Sequence, residues 1–376
     1  MDRVGDYIIS TADYSRRDRL WPPHFQAFAT NPLSLGFGAC GTALFLHRAR
    51  GGIPPEATEW LLAQPLSADA YPPGLYVGTA GVAYALCELG LHDRARAAMN
   101  VCYESPLLYA DPTVFYGVAG WGLVSLSLHH LTGDHSYLER AADAVAFLRR
   151  TAGRTDDGVY WRHAMDGAVH LGFACGASGI AHFLLHASEP LGDPDLMALA
   201  HDAVRYDLAR RGEDIYGWTW SDKENGTLSL PYFAHGSAGV GTTALRLWLA
   251  AGDEALGHAA AMIADVAYCK WTVLPSAVDG LAGLGEYMLD MHLATGRDEY
   301  VTRAREIAET LLWYGIERPG GLAFPGRWLN RVSTDYAYGA AGVGLFFHRL
   351  VHGGGRMLVD LYAGTVQTLA PRLAVR

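Results

Sequence analysis

The sequence predicts an all-α protein, an α/α toroid of seven inner and seven outer helices. Three features indicate this fold: a Gly-x-x-Gly pair recurs seven times, an apolar run long enough for a helix follows each pair, and amphipathic segments lie between the pairs. Repetition of one unit along a chain is the signature of a repeat architecture. The pairs are Gly38/Gly41, Gly78/Gly81, Gly117/Gly120, Gly176/Gly179, Gly236/Gly239, Gly280/Gly283 and Gly339/Gly342.

The spacing of the pairs leaves room for two helices in every repeat, because successive pairs lie about 40 or about 60 residues apart. The segments between pairs carry charges on one face, which is typical of an outer layer. The segments that follow pairs are apolar nearly all round, as expected of an inner layer that the outer one covers. Examples of predicted outer helices are 138–150, 196–210, 259–269 and 300–314, and examples of inner helices are 82–89, 180–187, 240–250 and 343–350.

A repeated helix pair either stacks as an open solenoid, which needs polar caps, or closes into a ring. The last pair is as apolar as the middle ones, so the pattern favours closure. Glycines at the pairs let neighbouring helix starts approach each other, because they lack a Cβ atom. Strand signals are sparse; Gly158–Trp161 and Gly321–Phe324 are the segments that could form small hairpins.

Composition excludes several classes of protein. Half of the residues are apolar and 18% are charged, so a large core is possible, and we interpret residues 1–376 as one domain. The net charge of -10 without a basic run argues against binding to nucleic acid or to an anionic membrane. We find no signal peptide and no membrane-spanning segment. Five cysteines without a C-x-x-C pair indicate free thiols in a cytoplasmic protein.

One variable residue directly precedes each pair, and a closed ring would bring these seven register residues to equivalent places around one mouth. His235 is our candidate general base; a capping or core histidine is the structural alternative. Asp279 could orient His235, although a helix N-cap is the stronger interpretation. Tyr116 and Tyr338 are candidate proton donors or cavity walls. The register residues are Phe37, Val77, Tyr116, Cys175, His235, Asp279 and Tyr338.

Three longer insertions, 151–171, 212–232 and 315–338, precede the fourth, fifth and seventh pairs and are rich in aromatic and charged residues. They should cover one rim of the ring, where functional residues tend to lie. Packing of the aromatic residues against the loops is the alternative for each of them. The predicted substrate-binding residues are Trp218, Tyr232, Arg327, Arg331 and Asp335.

Beyond these patterns, particular segments resemble a known family, the lanthionine synthetase C-like cyclases. The segments 18–22 (DRLWP), 30–38 (TNPLSLGFG) and 234–239 (AHGSAG) are most similar to the cyclase domain of class III, kinase–cyclase fused, lanthipeptide synthetases. The resemblance implies that a cysteine thiol of a ribosomal precursor peptide adds to dehydroalanine or dehydrobutyrine and gives a thioether ring. It also implies that the enolate could attack a second dehydroalanine, which gives labionin.

The chain departs from the nisin-type members of this family at their zinc ligands. Those enzymes bind zinc through a cysteine before the fifth pair and a Cys-His dipeptide before the sixth, where this chain has Ala234, Val278 and Asp279. A histidine expected before the fourth pair is replaced by Cys175, which could assist but is more typical of inert filling. We therefore expect no metal and no other cofactor.

Addition without zinc would need a base that deprotonates the thiol and groups that stabilise the negative charge of the thiolate and the enolate. His235 would take the thiol proton, while helix N-termini around the mouth would stabilise the thiolate and the enolate. The chain has no kinase or lyase signature, so the predicted partners are a precursor peptide and kinase or lyase dehydratases, as separate proteins or in a longer synthetase. A non-catalytic module that binds the peptide or its modifying enzymes is one alternative. The other is an α/α-toroid glycoside hydrolase or sugar epimerase, for which paired carboxylates would come from Asp222, Glu224 or Asp335.

Overall fold

The computed structural model describes residues 1–215 and 217–361. Helices dominate this part of the chain, and three short hairpins interrupt them. The helices are α1 (Asp2–Ser10), α2 (Gln26–Ala29), α3 (Ala39–Arg50), α4 (Pro55–Ala63), α5 (Thr79–Glu88), α6 (His92–Tyr103), α7 (Val118–Thr132), α8 (His135–Thr151), α9 (Ala177–Ser188), α10 (Asp195–Ala209), α11 (Ser237–Ala251), α12 (Glu254–Ala267), α13 (Leu281–Thr295), α14 (Asp298–Leu312) and α15 (Ala340–His352), with a 3-10 turn at Arg327–Leu329. The strands are β1 (Gly153–Thr155), β2 (Gly158–Tyr160), β3 (Gly212–Asp214), β4 (Gly217–Thr219), β5 (Ile316–Arg318) and β6 (Gly321–Ala323).

Seven inner helices form a closed ring, as the sequence predicts. They are α3, α5, α7, α9, α11, α13 and α15, and each one packs against the next while α15 returns to α3. Every one of them begins immediately after the first glycine of a pair, so all seven N-termini lie at one end of the ring. We call this end the mouth. Nearly all residues of these helices are buried, which explains why they are apolar on every face.

The outer layer consists of α1, α4, α6, α8, α10, α12 and α14, each packed against an inner helix. The four amphipathic segments of the sequence lie in α8, α10, α12 and α14. The predictions 259–269 and 300–314 each run two residues too far, because α12 ends at Ala267 and α14 ends at Leu312. In α8 the charged residues are exposed or half-buried, while residues such as Ala141, Val145 and Leu148 face the core.

The hairpins lie in the three insertions and pack on outer helices. Antiparallel β1–β2 contacts α10, β3–β4 contacts α12, and β5–β6 contacts α1. Two hairpins were expected from Gly158–Trp161 and Gly321–Phe324, whereas the third was missed. Gly158 has a φ of 141°, and a Cβ atom there would lie 2.2 Å from the carbonyl oxygen of Asp202. A glycine is therefore needed to bring this hairpin onto α10.

The glycine pairs act mainly within their own repeat. The first glycine is the N-cap residue and the second lies in the first turn of the helix. A Cβ atom on Gly81 would lie 1.7 Å from the carbonyl oxygen of Leu75, six residues earlier in the same loop. Contact with the neighbouring repeat, which the sequence suggested, is also present: a Cβ on Gly120 would lie 2.5 Å from the backbone nitrogen of Leu75.

The segment 356–361 packs against inner helices and one of their preceding loops: Arg356 lies over the ring of Phe233, 4.0 Å from its centroid, and His182 of α9 contacts the carbonyl oxygen of Val359 at 3.0 Å. Arg246 of α11 is fully buried and donates to both carboxylate oxygens of Asp360, at 3.0 and 2.9 Å. Asp290 of α13 accepts hydrogen bonds from Arg246 at 3.3 Å and from Arg349 at 2.6 Å. This buried ionic network joins the segment to the inner ring.

The structure agrees with two further expectations from composition. Across residues 1–215 and 217–361, no helix combines the length and the apolar character needed to cross a membrane. All five cysteines are free thiols.

Candidate functional site at the mouth of the toroid

Asp279 and Tyr338, two register residues, form a hydrogen-bonded pair at the mouth. The Tyr338 hydroxyl donates to Asp279 Oδ2 over 2.8 Å. The N-cap role that the sequence favoured for Asp279 is wrong, because Gly280 caps α13 and no side chain bonds to its first turn. Tyr338 is buried and stacks on Phe37, with ring centroids 5.9 Å apart. The pair therefore presents a carboxylate whose orientation a buried phenol fixes.

His235 lies at the start of α11 and is half-buried. Its Nδ1 atom is buried and has no hydrogen-bond partner in the structure. Burial lowers the pKa of His235, Asp279 and Asp222 raise it, and the neighbouring His170 and His163 act in the same direction as burial. The imidazole is thus neutral at pH 7, as a general base requires, and burial is the largest cause.

Aromatic rings continue from His235 along the rim. The ring centroid of His170 lies 5.9 Å from that of His235, and His163 follows at 5.1 Å from His170. Tyr116, another register residue, meets His163 edge to face at 5.4 Å. Burial raises the pKa of Tyr116 to about 12, so the phenol stays protonated and can donate a hydrogen bond. The insertion before the fourth pair therefore places two histidines between two register residues.

Cys175 lies in the wall of the mouth and is buried. Burial raises the pKa of its thiol well above the usual value, and the carboxylate of Asp111 acts in the same direction. A thiol of this kind is not a nucleophile at neutral pH. The environment agrees with the structural interpretation of Cys175.

Arg327 and Arg331 line a cavity of about 270 Å³ next to the Asp279–Tyr338 pair. Arg327 lies over the ring of Tyr338, 4.9 Å from its centroid, and Arg331 donates to the carbonyl oxygen of Pro23. Neither arginine forms an ion pair with any residue that the structure describes. Burial and these two charges lower the pKa of His24, which also lines the cavity, to about 4. The cavity is therefore suited to a peptide carbonyl or carboxylate.

Asp335, which the sequence predicted to bind substrate, does not line this cavity. It is fully buried and accepts hydrogen bonds from the backbone nitrogens of His24 and Tyr338, at 3.0 and 2.8 Å. Burial raises the pKa of Asp335 to about 6. These contacts argue against direct substrate binding, because the carboxylate is occupied with holding the loop before the seventh pair.

Trp218 and Tyr232 lie in the second insertion and differ in their surroundings. Trp218 packs against His258 of outer helix α12, and Arg211 covers its ring at 4.5 Å from the centroid. Tyr232 is half-buried, three residues before His235. Of the two, Tyr232 is better placed for a substrate contact.

The positions of the nisin-type zinc ligands do not fit a metal ion here. Ala234 and Val278 are buried and offer no donor atom, and Asp279 already accepts a hydrogen bond from Tyr338. Two of the three carboxylates considered for a glycoside hydrolase, Glu224 and Asp335, are also unsuited. Glu224 is bound by Arg210 and Tyr206, and Asp335 is inaccessible.

The sequence placed His163 in a rim insertion without assigning it to the site, and it did not single out His24, Asp166 or His170. All four lie in insertions or in the opening segment rather than beside a glycine pair. The one signal that could have found them is the number of histidines in 151–171, two in the eight residues from His163 to His170.

The chain is thus an α/α toroid. Its candidate site lies at the mouth, where a histidine, an aspartate and two tyrosines precede the inner helices. The chain belongs to the family of lanthionine synthetase C-like proteins, whose model matches residues 91–357. A probable SapB synthase of Streptomyces coelicolor is 30% identical over 347 residues, which are 91% of this chain and 36% of the relative. The chain thus spans about a third of that relative's length.

Solved structures share the fold. Nisin cyclase superposes with a TM-score of 0.64 at 16% identity, over 90% of this chain and 92% of that one. An α-1,6-mannanase of Salegentibacter superposes with a TM-score of 0.50 at 16% identity, over 73% of this chain and 88% of that one. At these identities the likeness extends to the fold alone, and the residues of the mouth must carry the functional argument.

Proposed function

We propose that this chain is a zinc-independent lanthipeptide cyclase that adds cysteine thiols of a precursor peptide to dehydroalanine or dehydrobutyrine. Membership of the lanthionine synthetase C-like family and similarity to a probable SapB synthase support the reaction class. The observation that carries the proposal is His235, a neutral imidazole at an inner helix start with an unpartnered, buried Nδ1 atom.

Each step can be assigned to residues of this chain. The imidazole of His235 takes the thiol proton, and the resulting thiolate attacks the β-carbon of the dehydroamino acid. The electron pair of the C=C bond moves to the carbonyl oxygen as an enolate. The α-carbon then takes a proton either directly from the His235 imidazolium or from Tyr116, whose phenolate the imidazolium reprotonates. The proton lost by sulfur is thus recovered at carbon, so no other reactant is needed.

The surroundings favour these charges. The first N–H groups of the inner helices are not free as the sequence suggested, because most of them donate to carbonyl oxygens of the preceding loops, as Thr79 does to Pro72 and Ser237 to Leu230. The helix dipoles still favour negative charge at the mouth, on the thiolate and then on the enolate. Asp279 stabilises the imidazolium electrostatically, since its carboxylate raises the pKa of His235. Because Tyr338 binds Asp279, we assign the carboxylate to this role without a direct hydrogen bond to the base.

The substrate would be a precursor peptide dehydrated by kinase and lyase domains or proteins, as in class III synthesis. Arg327, Arg331 and Tyr232 are the proposed peptide contacts, because the two arginines carry unpaired charge beside the mouth. The product would be lanthionine, or labionin if the enolate attacks a second dehydroalanine. Free thiols throughout the chain suit a reaction in the cytoplasm.

The test is ring formation on a dehydrated precursor peptide with free cysteines, followed by loss of thiol alkylation. We expect His235→Ala to lower the rate by roughly 10²–10⁴-fold, the range of general acid–base catalysis. His201→Ala, on outer helix α10, is the matched control and should keep the wild-type rate. We also expect the rate to survive a chelator, since no step uses a metal.

A non-catalytic role is the alternative, and the arginine-lined cavity favours it specifically because it could hold peptide without chemistry. Wild-type protein that binds the peptide but gives only the background rate would establish this alternative. A His235→Ala variant that cyclises like the wild type would remove His235 from the mechanism.

A further inference from the structure

We propose that His163, Asp166 and His170 bind one divalent transition-metal ion, best fitted by Zn²⁺, at the rim of the mouth. One possible ligand atom of each residue lies within 4.8 Å of those of the other two. All three come from the insertion before the fourth pair, whereas nisin-type ligands precede the fifth and sixth. The inference does not rest on the proposed cyclase activity, because binding of the metal alone can be measured.

The distances within the trio are suited to a small cation. Asp166 lies between the histidines: its Oδ1 is 3.5 Å from His163 Nδ1 and its Oδ2 is 3.0 Å from His170 Nε2. Ligands about 2.0–2.2 Å from a zinc ion lie roughly 3–4 Å from one another. Two imidazoles with one carboxylate select a transition metal over Mg²⁺, which prefers oxygen ligands.

The remaining nitrogen of His163 has the surroundings of a metal-bound histidine. Its Nε2 atom is buried, has no hydrogen-bond partner and lies 3.6 Å from Asp111 Oδ2. The backbone N–H of Met165 points at Nδ1 from 3.3 Å, so Nδ1 is the acceptor and Nε2 carries the proton. Metal-binding histidines commonly direct the second ring nitrogen to a carboxylate, which orients the ring and raises its basicity.

His170 repeats this arrangement with the opposite nitrogen. Its Nδ1 lies 3.2 Å from the carbonyl oxygen of Asp222, which can only accept a hydrogen bond. Nδ1 therefore carries a proton, and Nε2, which forms a hydrogen bond with Asp166 Oδ2 over 3.0 Å, is the atom available to a metal ion once its own proton is released. Both histidines thus turn one ring nitrogen toward the same carboxylate. A cation bound there would replace the long contact from the Met165 N–H to His163 Nδ1 and the proton between His170 Nε2 and Asp166.

A bound ion would link the segments that form the rim of the mouth. His163 lies against Asp111 and Tyr116 of the third repeat, and His170 lies against Asp222 of the next insertion and the ring of His235. The trio thus connects segments on both sides of the insertion 151–171. Binding should raise the melting temperature, since a ligand of the folded state alone stabilises it by mass action.

The experiment is calorimetric titration of the chelator-stripped full chain with Zn²⁺, with Co²⁺ absorption as a second probe of ligation. We expect one ion per chain and no comparable binding of Mg²⁺. His170→Gln and Asp166→Asn should weaken Zn²⁺ binding by at least about tenfold, the lower limit for losing even an outer partner. His47→Gln, on α3, is the matched control and should bind like the wild type.

Asp166→Asn should fold like the wild type, because Asp166 is exposed and its side-chain contacts lie within its own insertion. A loss of Zn²⁺ binding in this variant would therefore not be explained by misfolding. The proposal is overturned if the wild type takes up no Zn²⁺, or if both variants bind it as tightly as the wild type does. Either result would leave the trio as a set of histidine–carboxylate ion pairs.

Different results would overturn the metal-free cyclase reaction and the metal site. Ring formation that survives chelation supports the metal-free reaction and leaves the Zn²⁺ titration to decide on the trio. Ring formation that chelation abolishes, and that Zn²⁺ restores only when His170 is intact, overturns the metal-free reaction while it supports the metal site.

Discussion

Buried carboxylates hold the loops that lead into the mouth. Asp207 Oδ2 accepts hydrogen bonds from the backbone nitrogens of Gly172 and Ser178, at 3.2 and 3.0 Å, while its Oδ1 is buried without a partner. Burial raises the pKa of Asp207 to about 7, although the hydrogen bonds oppose the change. The loop of the fourth repeat therefore depends on a carboxyl group that is partly protonated at neutral pH.

This residue should make stability depend on pH. The unfolded chain loses the proton of Asp207 near pH 4, whereas the folded chain keeps it until about pH 7. Between these values the folded state binds more protons, so the free energy of unfolding should fall as pH rises from about 4 to about 7. Asp207→Asn should reduce this slope in urea titrations at several pH values.

Asp69→Asn is the control for that series, since Asp69 is exposed. Its slope should match the wild type. If the slope of Asp207→Asn were unchanged, the Asp207 carboxylate would be ionised throughout this pH range. Burial would then raise its pKa little.

At the scale of the element, the glycine pairs decide how each inner helix leaves its loop. The second glycine of a pair lies under the carbonyl of the residue six positions earlier, so the loop folds back across the first helical turn. Each loop then places its register residue at the mouth. The functional residues are therefore positioned by glycines that take no part in the chemistry.

Gly81→Ala should destabilise the protein by at least roughly 1–3 kcal/mol, the usual cost of overpacking, because its Cβ would lie 1.7 Å from the carbonyl oxygen of Leu75. Gly52→Ala, with no atom within 4 Å of the new methyl group, should be neutral or slightly stabilising. Urea unfolding of both variants measures the difference. Equal stabilities would show that the loop relaxes without cost.

At the scale of the whole molecule, the two ends of the ring differ in how their ionisable groups are buried and paired. The mouth carries half-buried titratable groups, whereas the opposite part carries Arg246, Asp290 and Asp360 with no exposure of their ion-pairing atoms. These ion pairs connect α11, α13 and the segment 356–361. Removing such charges from water costs free energy, so the ion pairs need not add to stability. We infer that they fix one arrangement of the ring, a role that buried polar groups have in some proteins.

Breaking this network should be costly. Asp360→Ala leaves Arg246 with Asp290 alone, and the loss of one partner of a buried pair costs about 3–5 kcal/mol. Asp265→Ala, which removes an exposed partner of Arg303, is the control and should have no measurable effect. Thermal unfolding of the two variants compares them directly. Equal melting temperatures would mean that segment 356–361 contributes little to the ring.

Much of the architecture follows from local patterns in the sequence. Seven glycine pairs at regular spacing, apolar segments after them and amphipathic segments between them determined the helices, their layers and the closure of the ring. Each of these signals depends on neighbours a few residues away, through helix periodicity and backbone sterics. His235 and Asp279 were placed at the mouth for the same reason, because they directly precede a pair.

Only the tertiary structure decided which side chains meet. Tyr338 reaches Asp279 across 59 residues, and Arg246 reaches Asp360 across 114. His163 and His170 lie beside Tyr116 and His235 because the insertion folds over the rim, and no periodicity in 151–171 encodes that path. Contacts between distant segments depend on how the ring closes and how its insertions fold back. The sequence therefore determined the scaffold and the register, whereas the partners of each functional group were fixed by three-dimensional packing.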